Sequence, residues 1–174
     1  DHLRIQCLPA ELHNTPERIP AAVAASVRVH GEGFDQVFVA YADCGTGGRL
    51  DRELEPLGIE RLPGAHCYEF FSGSESFGAL SEAEPGTFYL TDFLTRHFRR
   101  LVVEGLGLDR HPELRDTYFG QYRRVVLLSQ SPSAELTSRA RACAEFLALD
   151  FIEQPTGLAP LELVLKDRVT ACRS

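Results

Sequence analysis

The 174-residue chain has no methionine and no tryptophan, and Lys166 is its single lysine. That skew toward arginine reads as codon or lineage bias and carries no functional meaning. A positive charge balance is also missing. Eighteen Lys+Arg face twenty-five Asp+Glu, a net of −7, which excludes a broad nucleic-acid footprint and an anionic membrane surface as partners. Local clusters such as Arg96, Arg99 and Arg100, or Arg123 and Arg124, have charge enough to meet one anionic group. No stretch approaches the roughly 18 apolar residues of a membrane-spanning helix, and the first residues lack the basic, apolar, small-residue order of a signal peptide. A cytoplasmic protein is expected. Internal repeats, low-complexity tracts and linkers are likewise missing.

What is present is an ordinary globular composition, 44% hydrophobic and 25% charged, with one domain over residues 1–174 as the expectation. A chain of this size buries roughly 70% of its unfolded surface, so neither disulfides nor metal are needed merely to hold a core. The five cysteines, Cys7, Cys44, Cys67, Cys143 and Cys172, therefore need another explanation. An odd count in a chain that folds without staples argues against a secreted disulfide framework.

Along the chain, strand-like and helix-like segments alternate. Leu3 to Cys7 is a short β-prone run, and Ile19, Val23 and Val27, spaced by four, predict a helix over 16–29. Residues 36–41 form the most strand-like segment of the first half, nearly continuous in apolar side chains as in a sheet covered on both faces. A helix is predicted from Arg49, a third strand over 59–62, and a helical stretch over 68–83 broken at its Ser-Gly pairs. An extended piece follows at 87–90, then a helix from Thr91 or Asp92 to Val103. Strands over 123–129 and 150–153 flank a helix over 133–149. This alternation implies an α/β fold of three layers, a mostly parallel Rossmann-like sheet with helices on both faces.

In such sheets, ligands bind beyond the carboxyl ends of the strands. Those ends carry Cys7, Asp43-Cys44, His66-Cys67, Ser129 and Thr156-Gly157, so three of the five cysteines are expected to close the first three strands and open toward one crevice. Thiolates are preferred ligands of zinc and of iron–sulfur clusters, and three protein ligands leave a position for water or substrate. Cys7, Cys44 and Cys67 are therefore the candidate ligands of a metal ion or metal–sulfur cluster, with His66 or Asp43 completing or orienting the set. Separations of 37 and 23 residues match no short ligand motif; only the expected fold brings these residues together. The competing reading treats the same cysteines as small apolar residues at strand ends. Cys143 falls in an alanine-rich helix and Cys172 in the tail, and both read as incidental.

The segment Asp43-Cys44-Gly45-Thr46-Gly47-Gly48, between a strand and a helix, offers a second possibility. Backbone N–H groups of Gly45, Thr46, Gly47 and Gly48 are expected to receive the anion of a small-molecule ligand. The arrangement superficially resembles the first motif of S-adenosylmethionine methyltransferases, yet the next strand ends in Arg61-Leu62-Pro63 and lacks the acidic residue that would hold ribose hydroxyls. Without it, the three glycines simply supply a turn with positive φ. A nucleophilic Cys44 or Cys67 with His66 or His97 as base is a third arrangement, although neighbours on an extended chain point apart. The carboxylate pairs Glu53/Glu55 and Glu82/Glu84 read as solvated helix faces, and no catalytic residue is assigned. His111-Pro112-Glu113 and Tyr118 to Tyr122 are polar and aromatic loops suited to packing, to a pocket or to a homo-oligomer contact.

On these residues the chain closely resembles an uncharacterised prokaryotic family, domain of unknown function 1638, from about Leu3 to Leu165. The resembling stretches are Val37 to Gly48, Pro63 to Phe71, Glu84 to Asp92, Gly105 to Leu114, Tyr118 to Arg124, and Thr156-Gly157 with Pro160-Leu161. The resemblance implies an association with corrinoid-dependent methyl-transfer gene clusters, which suits a thiolate–metal site. Its stretches coincide with the predicted strand ends. The reading is a metal- or cluster-binding protein, with an S-adenosylmethionine- or nucleotide-binding enzyme and a non-enzymatic metal-carrying module as the alternatives.

Overall fold

A computed structural model describes residues 3–160 together with 162, 163 and 166; Cys172 lies outside them. The chain divides into two compact units, the first reaching Cys67 and the second beginning at Tyr68.

In the first unit, β1 (Phe38–Val39) pairs in parallel with β2 (Glu60–Arg61), Phe38 opposite Glu60 and Val39 opposite Arg61. Two helices, α1 (Ile19–His30) and α2 (Arg49–Leu54), pack on each other. The four-residue spacing in α1 does what it predicts: Ile19 and Val23 are buried, and Val27 packs against the same cluster, with Leu12, Val39, Leu50 and Leu54. Pro20 sits in the first turn of α1, where a missing N–H costs nothing. Arg61 ties α2 to β2 through a two-pronged pair with Asp51, at 2.6 and 2.8 Å, while its third nitrogen donates to the Leu62 carbonyl.

The predicted strand over 3–7 does not form. Residues 3–9 have no regular structure, with Leu3 and Ile5 69% and 77% exposed. A β-prone run becomes a strand only when a neighbouring edge takes up its N–H and C=O groups. Cys7 accordingly ends no strand and is exposed.

The second unit holds a parallel sheet in the order β3 (Thr87–Thr91), β4 (Arg124–Ser129), β5 (Asp150–Pro155). Its layers follow from the alternation of side chains along β4. Val125 and Leu127 face one core with Phe98, Phe119, Leu136 and Ala140; Val126 and Leu128 face the other with Tyr68, Phe77 and Leu80. The first core is covered by α5 (Asp92–Arg96), α6 (Leu114–Phe119) and α7 (Ala134–Leu147), the second by α3 (Cys67–Ser72) and α4 (Ser74–Ala83). This is the three-layer α/β arrangement expected, divided between two small all-parallel sheets. The broken helix over 68–83 is α3 and α4, separated by Gly73 at φ 81°. The predicted helix over 92–103 is interrupted: α5 stops at Arg96, and a wider π-type turn spans Arg99–Glu104. At the carboxyl edge Asp92 accepts from the Gln130 and Ser131 amides, both at 2.9 Å, locking β3 to the loop after β4. No helix among the described residues is long and apolar enough to cross a membrane.

Candidate metal site

Parallel pairing of β1 with β2 places both carboxyl ends on the same edge, and the backbone pairing continues irregularly past the strands. Leu62 donates to the Val39 carbonyl at 3.0 Å, Asp43 to Gly64 at 3.1 Å and Cys44 to Ala65 at 2.9 Å. Two loops thus run side by side, one carrying Cys44 and the other leading to Cys67.

The first loop is shaped by Asp43. One carboxylate oxygen accepts from the Thr46 hydroxyl at 2.7 Å and the Gly48 amide at 2.8 Å, and the other from the Gly47 amide at 3.0 Å. Donation by Gly48, then by Thr46 and Gly47, pulls the Asp43 carboxyl down to about 2. From Cys44 to Gly48 the backbone has positive φ at every position except Thr46: Cys44 at 48°, Gly45 at 83°, Gly47 at 61° and Gly48 at 74°. Three are glycine, which adopts this region without steric cost, whereas Cys44 does not. Of the four amides expected to cradle an anion, those of Gly45, Thr46, Gly47 and Gly48, the last three are engaged within the loop. The Gly47 and Gly48 amides already serve Asp43, the Thr46 amide donates to the Asp43 carbonyl at 2.9 Å, and Thr46 is fully buried. The anion that this loop receives is its own aspartate.

The bend at Cys44 brings its sulfur 2.9 Å from the Cys67 sulfur. His13 completes the group: one ligand atom from each of His13, Cys44 and Cys67 lies within 4.8 Å of the others. His13 sits on the short 3-10 turn Ala10–Asn14, whose Leu12 is buried in the core while His13 itself is exposed. With its proton on Nδ1 the ring donates to the Ala10 carbonyl at 3.3 Å, leaving the Nε2 lone pair for another partner. The Tyr41 ring stacks on His13 with centroids 5.6 Å apart and planes 18° from parallel.

The electrostatics are those of one proton shared between two sulfurs. Donation from the Cys44 thiol, reinforced by His13 and the Ala42 backbone, holds Cys67 as a thiolate, down to about 4. Cys44 is pushed up, because it is the partner that keeps the proton it donates to Cys67, and burial adds to that. His13 is raised by its hydrogen bond to Cys67. Burial raises Tyr41 most, and the negative charge of the nearby Cys67 thiolate raises it further.

Of the residues singled out from sequence, Cys44 and Cys67 converge. Cys7 stands outside the group. His66, expected to complete or orient the ligand set, is exposed and stands outside the group, and Asp43 organises the loop instead. His13 had no sequence signal beyond a position six residues after Cys7. In the second unit, Ser129 is fully buried and its hydroxyl has no hydrogen-bond partner among the described residues, while the Thr156 and Gly157 amides donate to its carbonyl. His97 caps α5 against Phe93, and Cys143 is buried in the core. Phe119 and Tyr122 pack edge-on against Phe88, whereas Tyr118 is exposed.

Parallel strands whose paired ends hold two thiols beside an imidazole define an α/β protein with a candidate site for a soft or borderline metal ion. The chain belongs to the family described as Protein of unknown function (DUF1638), which it matches over residues 7–165. No curated protein and no solved structure matches it.

Proposed function

We propose that this is a metal-binding protein in which Cys44, Cys67 and His13 hold one zinc-class ion and Cys7 supplies an exchangeable fourth ligand. The observation that carries the reading is the convergence of two sulfurs and one imidazole nitrogen within 4.8 Å. Zinc takes thiolate at about 2.3 Å and imidazole at about 2.0–2.1 Å, so two sulfurs on one tetrahedral ion stand about 3.8 Å apart. The 2.9 Å pair would open by roughly 1 Å to admit it, a movement within reach of side-chain torsions in two loops. Two thiols and one imidazole suit a mononuclear ion better than an iron–sulfur cluster, which draws on four cysteine ligands or a two-histidine replacement.

Cys7 is exposed and lies on a segment without regular structure. A ligand so placed is exchangeable. An ion held by His13, Cys44 and Cys67 would keep a substrate thiol taking the same position as its thiolate, the form in which a thiol accepts a methyl group. If Cys7 stays, the protein is a metal carrier.

Elemental analysis of protein purified under reducing conditions without oxygen tests the core of the reading. One ion per chain is expected, with loss of the ion in Cys44→Ser and Cys67→Ser. Substoichiometric metal that is unchanged in Cys44→Ser overturns it. Cys7→Ser is expected to keep the ion but weaken it at least tenfold, whereas an unchanged affinity removes Cys7 from the site. Visible charge-transfer bands would replace the zinc-class ion by an iron–sulfur centre.

A further inference from the structure

We propose that Cys44 and Cys67 also form a thiol–disulfide exchange pair that reduces low-molecular-weight disulfides. The activity uses the sulfurs of the metal site but does not depend on metal being bound. The two sulfurs are 2.9 Å apart, less than 1 Å from the disulfide bond length of about 2.05 Å. The backbones that carry them are already joined, because the Cys44 amide donates to the Ala65 carbonyl two residues before Cys67. Closing the bond therefore asks for side-chain rotation rather than movement of either loop. Both cysteines are partly exposed and His13 is exposed beside them, so a small disulfide can approach from that side. Cys143 is buried in the core of the second unit and has no such access.

The chemistry balances without any further reactant. The Cys67 thiolate attacks one sulfur of the substrate disulfide, forming a mixed disulfide and expelling the first thiolate, which takes up a proton from solvent. The Cys44 sulfur, passing its proton to His13, then attacks the Cys67 sulfur. That step forms the Cys44–Cys67 bond, breaks the mixed disulfide and releases the second thiolate, which collects the proton. The protein pair loses two electrons and the one proton held by Cys44, and the substrate disulfide becomes two thiols by gaining those electrons, that proton and one proton from solvent.

The full-length chain, reduced and freed of metal by a chelator, would be exposed to glutathione disulfide. The expected result is loss of two free thiols per chain, no glutathione retained, and a peptide map joining Cys44 to Cys67. In Cys44→Ser the second step is blocked, so one glutathione should stay attached at Cys67. Retained glutathione in the wild-type chain, a bond from Cys67 to Cys7, or no loss of thiols overturns the proposal. Should Cys44→Ser fail to fold, the wild-type peptide map decides alone. Metal content is measured separately on the reduced protein. A chain that exchanges but binds no metal refutes the metal reading only, and one that binds metal but retains both thiols refutes the exchange activity only.

Discussion

Replacing Asp43 by asparagine tests whether the Cys44 loop is held by a carboxylate. The amide side chain would keep one carbonyl oxygen for the Thr46 hydroxyl and the Gly48 amide, at 2.7 and 2.8 Å in the wild type. The oxygen that accepts from the Gly47 amide at 3.0 Å would become an NH2 group, so that two donors face each other. The charge contribution follows from the carboxyl being held at about 2 against 3.8 in its ordinary state. At about 1.4 kcal/mol per pKa unit the ceiling is about 2.4 kcal/mol, and partial solvent screening brings the expected loss to roughly 1–2 kcal/mol. The sign is fixed by linkage. Because the folded-state value is depressed, the stabilisation is fully present well above pH 3.8 and is lost as pH falls through about 2. Wild type and Asp43→Asn should therefore differ most at pH 7 and by roughly half as much at pH 3. Urea denaturation followed by circular dichroism at pH 7, 5 and 3 measures the gap directly. A gap below about 0.5 kcal/mol at pH 7, in the range of an ordinary surface substitution, or one that widens on acidification, would refute the assignment of Asp43 as the anchor of the loop.

Three further outcomes are expected. Leu127→Ala, at a fully buried position in the central strand β4, should cost about 2–5 kcal/mol; a loss below about 1 kcal/mol in urea denaturation would show that the core between β4 and α7 is not packed as described. Gly73→Ala should cost about 1–3 kcal/mol through backbone strain alone, since Gly73 has φ 81° and ψ 143° while an added Cβ would meet nothing within 4 Å; thermal unfolding reads it, and an unchanged midpoint would mean that the break between α3 and α4 tolerates a side chain. His13→Ala should lower zinc affinity at least tenfold in competition with a chromophoric chelator while moving stability by under about 0.5 kcal/mol, because the ring is exposed; unchanged affinity would remove His13 from the ligand set.

Legibility in the sequence tracked how many restraints each segment carries. Residues 123–129 and 133–149 read correctly as β4 and α7 because long apolar patterns, a Ser133 cap accepting from the Leu136 amide, and burial on both faces all agree. The run from Leu3 to Cys7 had propensity alone and forms no strand. The helix expected over 92–103 had the right start, with Thr91 accepting from the Leu94 amide. Its interior changes hydrogen-bond register around His97, however, and a periodicity count cannot detect that change.

The candidate site divides along the same line. Cys44 and Cys67 could be paired from sequence because a strand, helix, strand unit with parallel strands must bring both carboxyl ends to one edge. Nothing in that rule selects a third partner. Cys7 is the natural third partner only if residues 3–7 are a strand of the same sheet, and with no ladder to hold that segment it is left as an exchangeable fourth. His13 takes the place because Leu12 is buried and pins a single 3-10 turn against Ile19 and Val39, leaving the next side chain facing outward beside Tyr41. A one-turn element shows no periodicity over the window in which periodicity is read. The thiols are therefore fixed by topology and the imidazole by one buried leucine. Weakening the Leu12 anchor should loosen His13 while leaving the 2.9 Å sulfur pair intact, separating a step that needs all three ligands from one that needs only the two cysteines.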